Sequence, residues 1–184
     1  MAISLQKGQK IDLQKKDGSQ LTNILVGLGW KEVQQKGGLM GLFKQKADVD
    51  IDASVIMLNA NGKIPTKEEV IFFNHKDHPS GCVHHCGDNL VGGKMGGMDD
   101  SEQILVDLTR VPQNIDRIVF VVNIYNCVQR KQHFGMVENA YIRIVDKGAG
   151  ETIASYNLTE AYSGKTSMVV GAIYRRGDGW KFNA

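Results

Sequence analysis

Cysteine is scarce: Cys82, Cys86 and Cys127 are the three in the chain. They are too few and odd in number for the disulfide framework of a secreted domain, which fits a reducing compartment. Long apolar runs are missing as well. No stretch approaches the roughly 20 residues that a membrane-spanning helix needs. The N-terminal Met1-Ala-Ile-Ser-Leu-Gln-Lys-Gly8 lacks the apolar segment of a signal peptide. Together these absences predict a soluble, cytoplasmic protein and exclude an integral membrane one. Excess charge of one sign is absent too. The net charge is +2, from 22 Lys plus Arg set against 20 Asp plus Glu, and the basic residues are scattered. That pattern excludes the basic stripe of a nucleic-acid binder.

Nucleotide and hydrolase signatures are also lacking. Gly27-Leu-Gly-Trp-Lys-Glu32 opens like a dinucleotide-binding turn, but Glu32 stands where the third glycine belongs. Gly164-Lys-Thr166 resembles the end of a phosphate loop, yet Thr159 occupies the position of the loop's first glycine. There is no Gly-x-Ser-x-Gly elbow. Cys82-Val-His-His-Cys86, close to His75 and His78, invites a zinc site. It lacks the paired short spacings of a zinc finger, and adjacent histidines on a strand point to opposite faces, so His84 and His85 do not ligate one ion together. The same two cysteines are one residue too far apart for a Cys-x-x-Cys dithiol and read as ordinary buried or strand-surface residues.

Strand signal is what the chain has in quantity. Runs rich in Ile, Val and aromatics at 24–30, 49–58, 70–73, 104–108, 117–125, 141–146, 153–158 and 168–174, closed by 180–182, are bounded by Gly, Asn and Asp. They predict a mainly β protein, an antiparallel β-sandwich with a few short helices, in one domain over 1–184. Single helical turns are expected at 111–115 and 159–162. The run 117–125 is apolar at consecutive positions, which predicts a central strand covered on both faces. Residues 34–46 lack periodicity and read as an inserted loop, with a lid or contact patch as the alternative. Arg175-Arg176 and Trp180-Lys-Phe182 read as a hairpin around Gly177-Asp-Gly179 rather than a patch for an anionic partner.

Within this frame one pattern carries chemistry. Asp48, Asp50 and Asp52 alternate with Val49, Ile51 and Ala53, so a strand there puts three carboxylates on one face and apolar side chains on the other. Like charges in a row repel, and a hard divalent cation relieves the repulsion. The competing reading is the solvated face of an antiparallel strand. A second oxygen-rich segment, Gly87-Asp88-Asn89 and then Asp99-Asp100-Ser101-Glu102, follows a glycine-rich stretch and starts with a turn signal. Calcium takes about 6 to 8 oxygen ligands in flexible geometry, whereas magnesium wants fewer protein ligands, so this crowding suits calcium better. An EF-hand is excluded, since Ala53 and Asn59 stand where that loop needs Gly and Glu.

These same residues carry a family resemblance. Asp48-Val-Asp-Ile-Asp-Ala-Ser54, Gly87-Asp-Asn-Leu90, Asp99-Asp-Ser-Glu102 and His133-Phe-Gly-Met-Val-Glu-Asn-Ala-Tyr-Ile-Arg-Ile-Val-Asp146 resemble signature segments of the TerD family of tellurium-resistance and stress proteins. The likeness runs from Ile3 to Phe182. It implies a cytoplasmic, non-enzymatic β-sandwich that binds one or two Ca2+ ions and acts through calcium-dependent protein interaction. The implied metal ligands are Asp50, Asp52, Asp88, Asn89, Asp99, Asp100 and Glu102 with the Gly87 carbonyl, and Asp48 is an outlying member. Implied partners are other tellurium-resistance proteins or a membrane-associated complex.

One segment departs from the family pattern. Gly92-Gly-Lys-Met-Gly-Gly-Met98 is longer than the usual acidic glycine loop and carries Lys94 without a carboxylate, and Ser101 interrupts the acidic run. Weaker calcium binding, or one incomplete site of two, is the expected consequence. The alternative function is a metal-dependent enzyme in which the acidic residues hold a catalytic ion and His85 serves as general base.

Overall fold

The alternation over 49–58 survives folding. The computed structural model describes residues 2–32, 49–88, 100–158 and 162–184, with the backbone alone at Lys31, Glu32, Asp88 and Glu138. Val49, Ile51, Ala53, Val55 and Met57 are buried, while the residues between them are exposed or half-buried. Period-two burial of this kind needs a sheet with one face on a core. The described residues form two such sheets of six strands each.

The first sheet runs in the order β1 (Ile3–Leu5), β10 (Glu151–Asn157), β9 (Val137–Asp146), β3 (Asn23–Glu32), β7 (Glu102–Asp107) and β6 (Val83–Asp88). The second runs β2 (Lys10–Asp12), β12 (Gly179–Asn183), β11 (Ser167–Arg176), β8 (Arg117–Ile124), β4 (Ile51–Leu58) and β5 (Val70–Ile71). Pairing is antiparallel except between β1 and β10. The inner faces share one core, with Ile24, Val26, Ile104 and Ile142 from the first sheet against Val55, Ile118, Phe120 and Ile173 from the second. This is the sandwich that the spacing of strand signals predicts.

Several expectations change on folding. The strand β8 is central, between β11 and β4, but its burial alternates, and Val119, Val121 and Asn123 on the outer face are only half-buried. Its consecutive apolar residues reflect β-propensity more than two-sided cover. The segment 111–115 is not helical. It is a turn closed by Ile115 N–H to the Pro112 carbonyl, and the Arg175 guanidinium donates to the carbonyls of Val111, Pro112 and Ile115. Gly87 belongs to β6 instead of a turn. Its φ of 79° builds a bulge between His85 and Asp88, a conformation that glycine adopts at little cost. The strands β1, β2 and β6 were invisible to pattern reading because two are only three residues long and the third is largely polar. The loop 34–46, the stretch 92–98 and most of the turn 159–162 lie outside the described residues.

The terminal hairpin forms as expected. β11 and β12 pair around Gly177-Asp-Gly179, and the Arg175 guanidinium stacks 4.3 Å from the centre of the Trp180 ring. Arg175 is thus occupied in holding the 111–115 turn to the sheet.

Candidate functional site

The strand β5 pairs with Val55 and Ile56 of β4, so among the described residues no strand pairs with the outer edge of the N-terminal half of β4. Bare edge groups need partners. Side chains from the other sheet supply them. Glu102 Oε2 accepts from the Ala53 N–H at 2.6 Å, and His85 Nε2 lies 3.0 Å from the Ala53 carbonyl oxygen. Glu102 and His85 are 2% and 1% exposed, so this is a dry junction between the sheets. It brings the start of β4, the end of β6 and the start of β7 to one end of the sandwich.

On the outer face at that end lie Asp50 and Asp52. Asp50 is exposed, its backbone carbonyl accepts from the Tyr125 N–H at 2.8 Å, and Arg130 Nη1 sits 3.6 Å from Asp50 Oδ2. Arg130 closes the short helix α1 (Cys127–Arg130) that follows β8. Asp52 is half-buried and stands directly opposite Asn123 of β8, which in turn stands opposite Ser167 of β11. Directly opposed residues have Cβ atoms about 5 Å apart, so Asp52 has a second oxygen donor beside it. Reading 117–125 as plain core missed Asn123; the signal was a lone amide in an apolar strand.

Asp100 has a different setting. Ser101 N–H donates to the Leu28 carbonyl at 2.8 Å, which lays Asp100 over Gly27 on the outer face of the first sheet. There Arg143 grips it with two bonds, Nε to Oδ1 at 2.8 Å and Nη2 to Oδ2 at 2.7 Å. Tyr141 Oη donates to Oδ1 at 3.0 Å and Gln103 Nε2 to Oδ2 at 3.0 Å. Both charged side chains are 0% exposed. A bidentate buried pair with its remaining lone pairs satisfied is a rigid anchor, and removing either partner alone is costly.

Known proteins place this architecture. The sequence model of the TerD domain matches residues 1–184. The chain belongs to the TerD family. It is 50% identical over 186 residues to the stress response protein SCP2 of Bacillus subtilis (strain 168), covering 100% of this chain and 91% of that one. It is 39% identical over 184 residues to the tellurium resistance protein TerD of Serratia marcescens, covering 100% and 89%. Among solved structures it is similar in fold to a homologue of telluride resistance protein (TerD) from Streptomyces coelicolor A3(2), with a TM-score of 0.58 and 19% identity over 88% of this chain and 86% of that one. The tellurium-resistance and stress-response membership implied by its motifs therefore stands.

The donors at the acidic end of this TerD domain can be tested against a metal by their chemistry. Asp50, Asp52 and Asn123 are hard oxygen donors of the kind that calcium takes, and a guanidinium already lies beside Asp50. Asp100 and Glu102 lie elsewhere: one is held by Arg143 on the outer face of the first sheet, the other sits between the sheets on Ala53. Among the described residues, no group of three or more His, Cys, Asp or Glu gathers as one metal cluster. Gly87 is buried at the bulge, two residues beyond His85. Asn89, Asp99 and Asp48 lie outside the described residues, as does the side chain of Asp88.

The histidines have structural partners. His84 pairs with Asp77 at 2.6 Å on the surface, while His85 faces inward. The Gly87 N–H donates to His85 Nδ1 at 2.9 Å, leaving Nε2 to carry the proton toward Ala53 O and Glu102. Burial pulls the His85 pKa down, but the hydrogen bond and charge of Glu102 outweigh it and raise it above 6.5. His78 goes the other way. It is buried against Ser80 and Cys82, and that burial lowers its pKa below 6.5 despite the nearby charge of Glu69. A depressed histidine favours folding above its unfolded pKa, and that support is lost as the pH falls through the folded value. Urea melts from about pH 8 down to pH 5 should show a decline in stability below 6.5 that is shallower in His78→Asn than in the wild type. An unchanged slope would mean that His78 is protonated in place.

Proposed function

We propose that the protein is a calcium-binding, non-enzymatic stress-response module linked to tellurium resistance, acting in the cytoplasm through calcium-dependent protein interaction. The observation that supports this most is the Glu102 to Ala53 bond at 2.6 Å. It ties together two oxygen-rich segments far apart in the sequence. In this reading Asp50 and Asp52 supply carboxylates from β4. Asp88, Asn89, Asp99 and the Gly87 carbonyl are the further oxygen donors that the family resemblance implies. Asp100 and Glu102, also implied as ligands, are engaged by Arg143 and by the Ala53 N–H, which tie the end of the second motif to the two sheets. A bound calcium ion would neutralise the carboxylates and change the surface offered to partners. Those partners would be other tellurium-resistance proteins, among which TerD, TerX and TerZ are relatives of this chain, or a membrane-associated complex. Among the described residues no helix is long and apolar enough to cross a membrane.

The competing reading, a metal-dependent enzyme, would use His85 as base. Both ring nitrogens of His85 already have partners and the ring is 1% exposed, which favours the binding module. A ligand that binds only the folded state stabilises it by about 2.7 kcal/mol at a hundredfold excess over the dissociation constant. For a chain of this size that corresponds to a melting point raised by roughly 5–11 °C. A melt with calcium chloride, repeated after adding chelator, should show the rise and its reversal. An unmoved midpoint would sink the calcium reading.

A further inference from the structure

Asp50 is the most exposed of the described acidic residues considered as ligands, and a cation of the protein's own already sits beside it. The 3.6 Å from Arg130 Nη1 to Asp50 Oδ2 is too long for a hydrogen bond but within the range of a surface ion pair. The approach of Arg130 is built into the backbone. Its guanidinium lies 5.7 Å from the centre of the Tyr125 ring, and the Tyr125 N–H is bonded to the Asp50 carbonyl. The intervening turn is closed by Gln132 N–H to the Cys127 carbonyl at 2.9 Å and bracketed by Asn126 and Lys131 at φ of 54° and 52°. Two non-glycine residues in the left-handed region mark a turn whose shape the surrounding contacts dictate. Arg130 is therefore held where an incoming cation would arrive.

We propose that Arg130 is an affinity-determining residue of the acidic end, a tethered cation that must swing away from Asp50 before a divalent cation binds there. This rests on the calcium reading above. It explains how an exposed carboxylate beside other acidic residues is kept neutralised when no metal is bound. It also makes occupancy readable at the surface, because the displaced guanidinium leaves Tyr125 and Asp50 together. The like-charge penalty acts on the divalent ion with twice the strength that it has on a monovalent one.

Calorimetric titration of calcium chloride into the wild type, Arg130→Gln and Arg130→Lys tests this directly. Arg130→Gln should bind about threefold to tenfold more tightly, and Arg130→Lys, which keeps the charge, should stay near the wild type. Equal or weaker binding by Arg130→Gln, with the wild type binding normally, overturns the role of Arg130 and leaves the calcium reading standing. Arg130→Lys as tight as Arg130→Gln also overturns it. No binding by either the wild type or Arg130→Gln overturns both proposals. A second measurement needs no variant: trypsin should cut the wild type after Arg130 faster with calcium than with chelator, relative to its other sites. An unchanged or slower relative rate counts against displacement.

Discussion

Arg143→Met should destabilise the protein by about 3–5 kcal/mol, because it strips a buried carboxylate of its cation. Arg143 and Asp100 are both 0% exposed and share two hydrogen bonds of 2.8 and 2.7 Å. Methionine matches the length of arginine but offers no donor. Asp100 would keep Tyr141 and Gln103, which stabilise a carboxylate without neutralising it. The expected result is a urea midpoint shifted far down at unchanged slope, and a melting point lower by roughly 6–20 °C. Adding Asp100→Asn to Arg143→Met should recover part of the loss, since the carboxylate charge that Arg143 balanced goes with it. A loss below about 1 kcal/mol in the single variant would show that Asp100 relaxes to water, and the anchor would be refuted.

Gly27→Ala should act on the same anchor from the other side. Gly27 lies on β3 between Arg143 and Gln103, and a Cβ built there collides with the Asp100 carboxylate. Glycine is needed for room, not for backbone freedom. Overpacking a filled site costs about 1–3 kcal/mol. Pushing Asp100 off Arg143 adds to it, so the total should reach about 3 kcal/mol or more. In the Arg143→Met background the same substitution should cost clearly less, because the pair it disrupts is already gone. Full additivity by denaturant titration would show that the two changes act on separate features. Gly29→Ala is the neighbouring comparison, since its Cβ meets the ring of Tyr141, whose hydroxyl also bonds to Asp100.

Both predictions bear on function. An anchor beneath Asp100 holds the residues leading into β7 in place, and the Glu102 to Ala53 bond ties the start of β7 to β4. Residues that looked like ligands in sequence thus also serve as supports in the fold. Carboxylate identity alone does not distinguish the two roles, because a buried arginine and a calcium ion satisfy the same oxygens.

The sequence by itself determined the sandwich, the family and the inward face of β4. Period-two burial is a local property, so Ile51, Ala53, Val55 and Met57 were legible as core before any neighbour was known. The motifs around Asp50, Asp52 and Gly87 were legible for the same reason, being contiguous. Only the tertiary structure decided which charges meet. Arg143 reads as one polar residue in a strand until β9 lies beside β3 and Asp100, 43 positions before Arg143 in the chain, folds across Gly27. Arg130 and Asn123 acquire meaning only when β8 delivers them to the start of β4. Strand pairing joins residues by register, not by sequence distance, and a single chain without its neighbours carries no mark of that register.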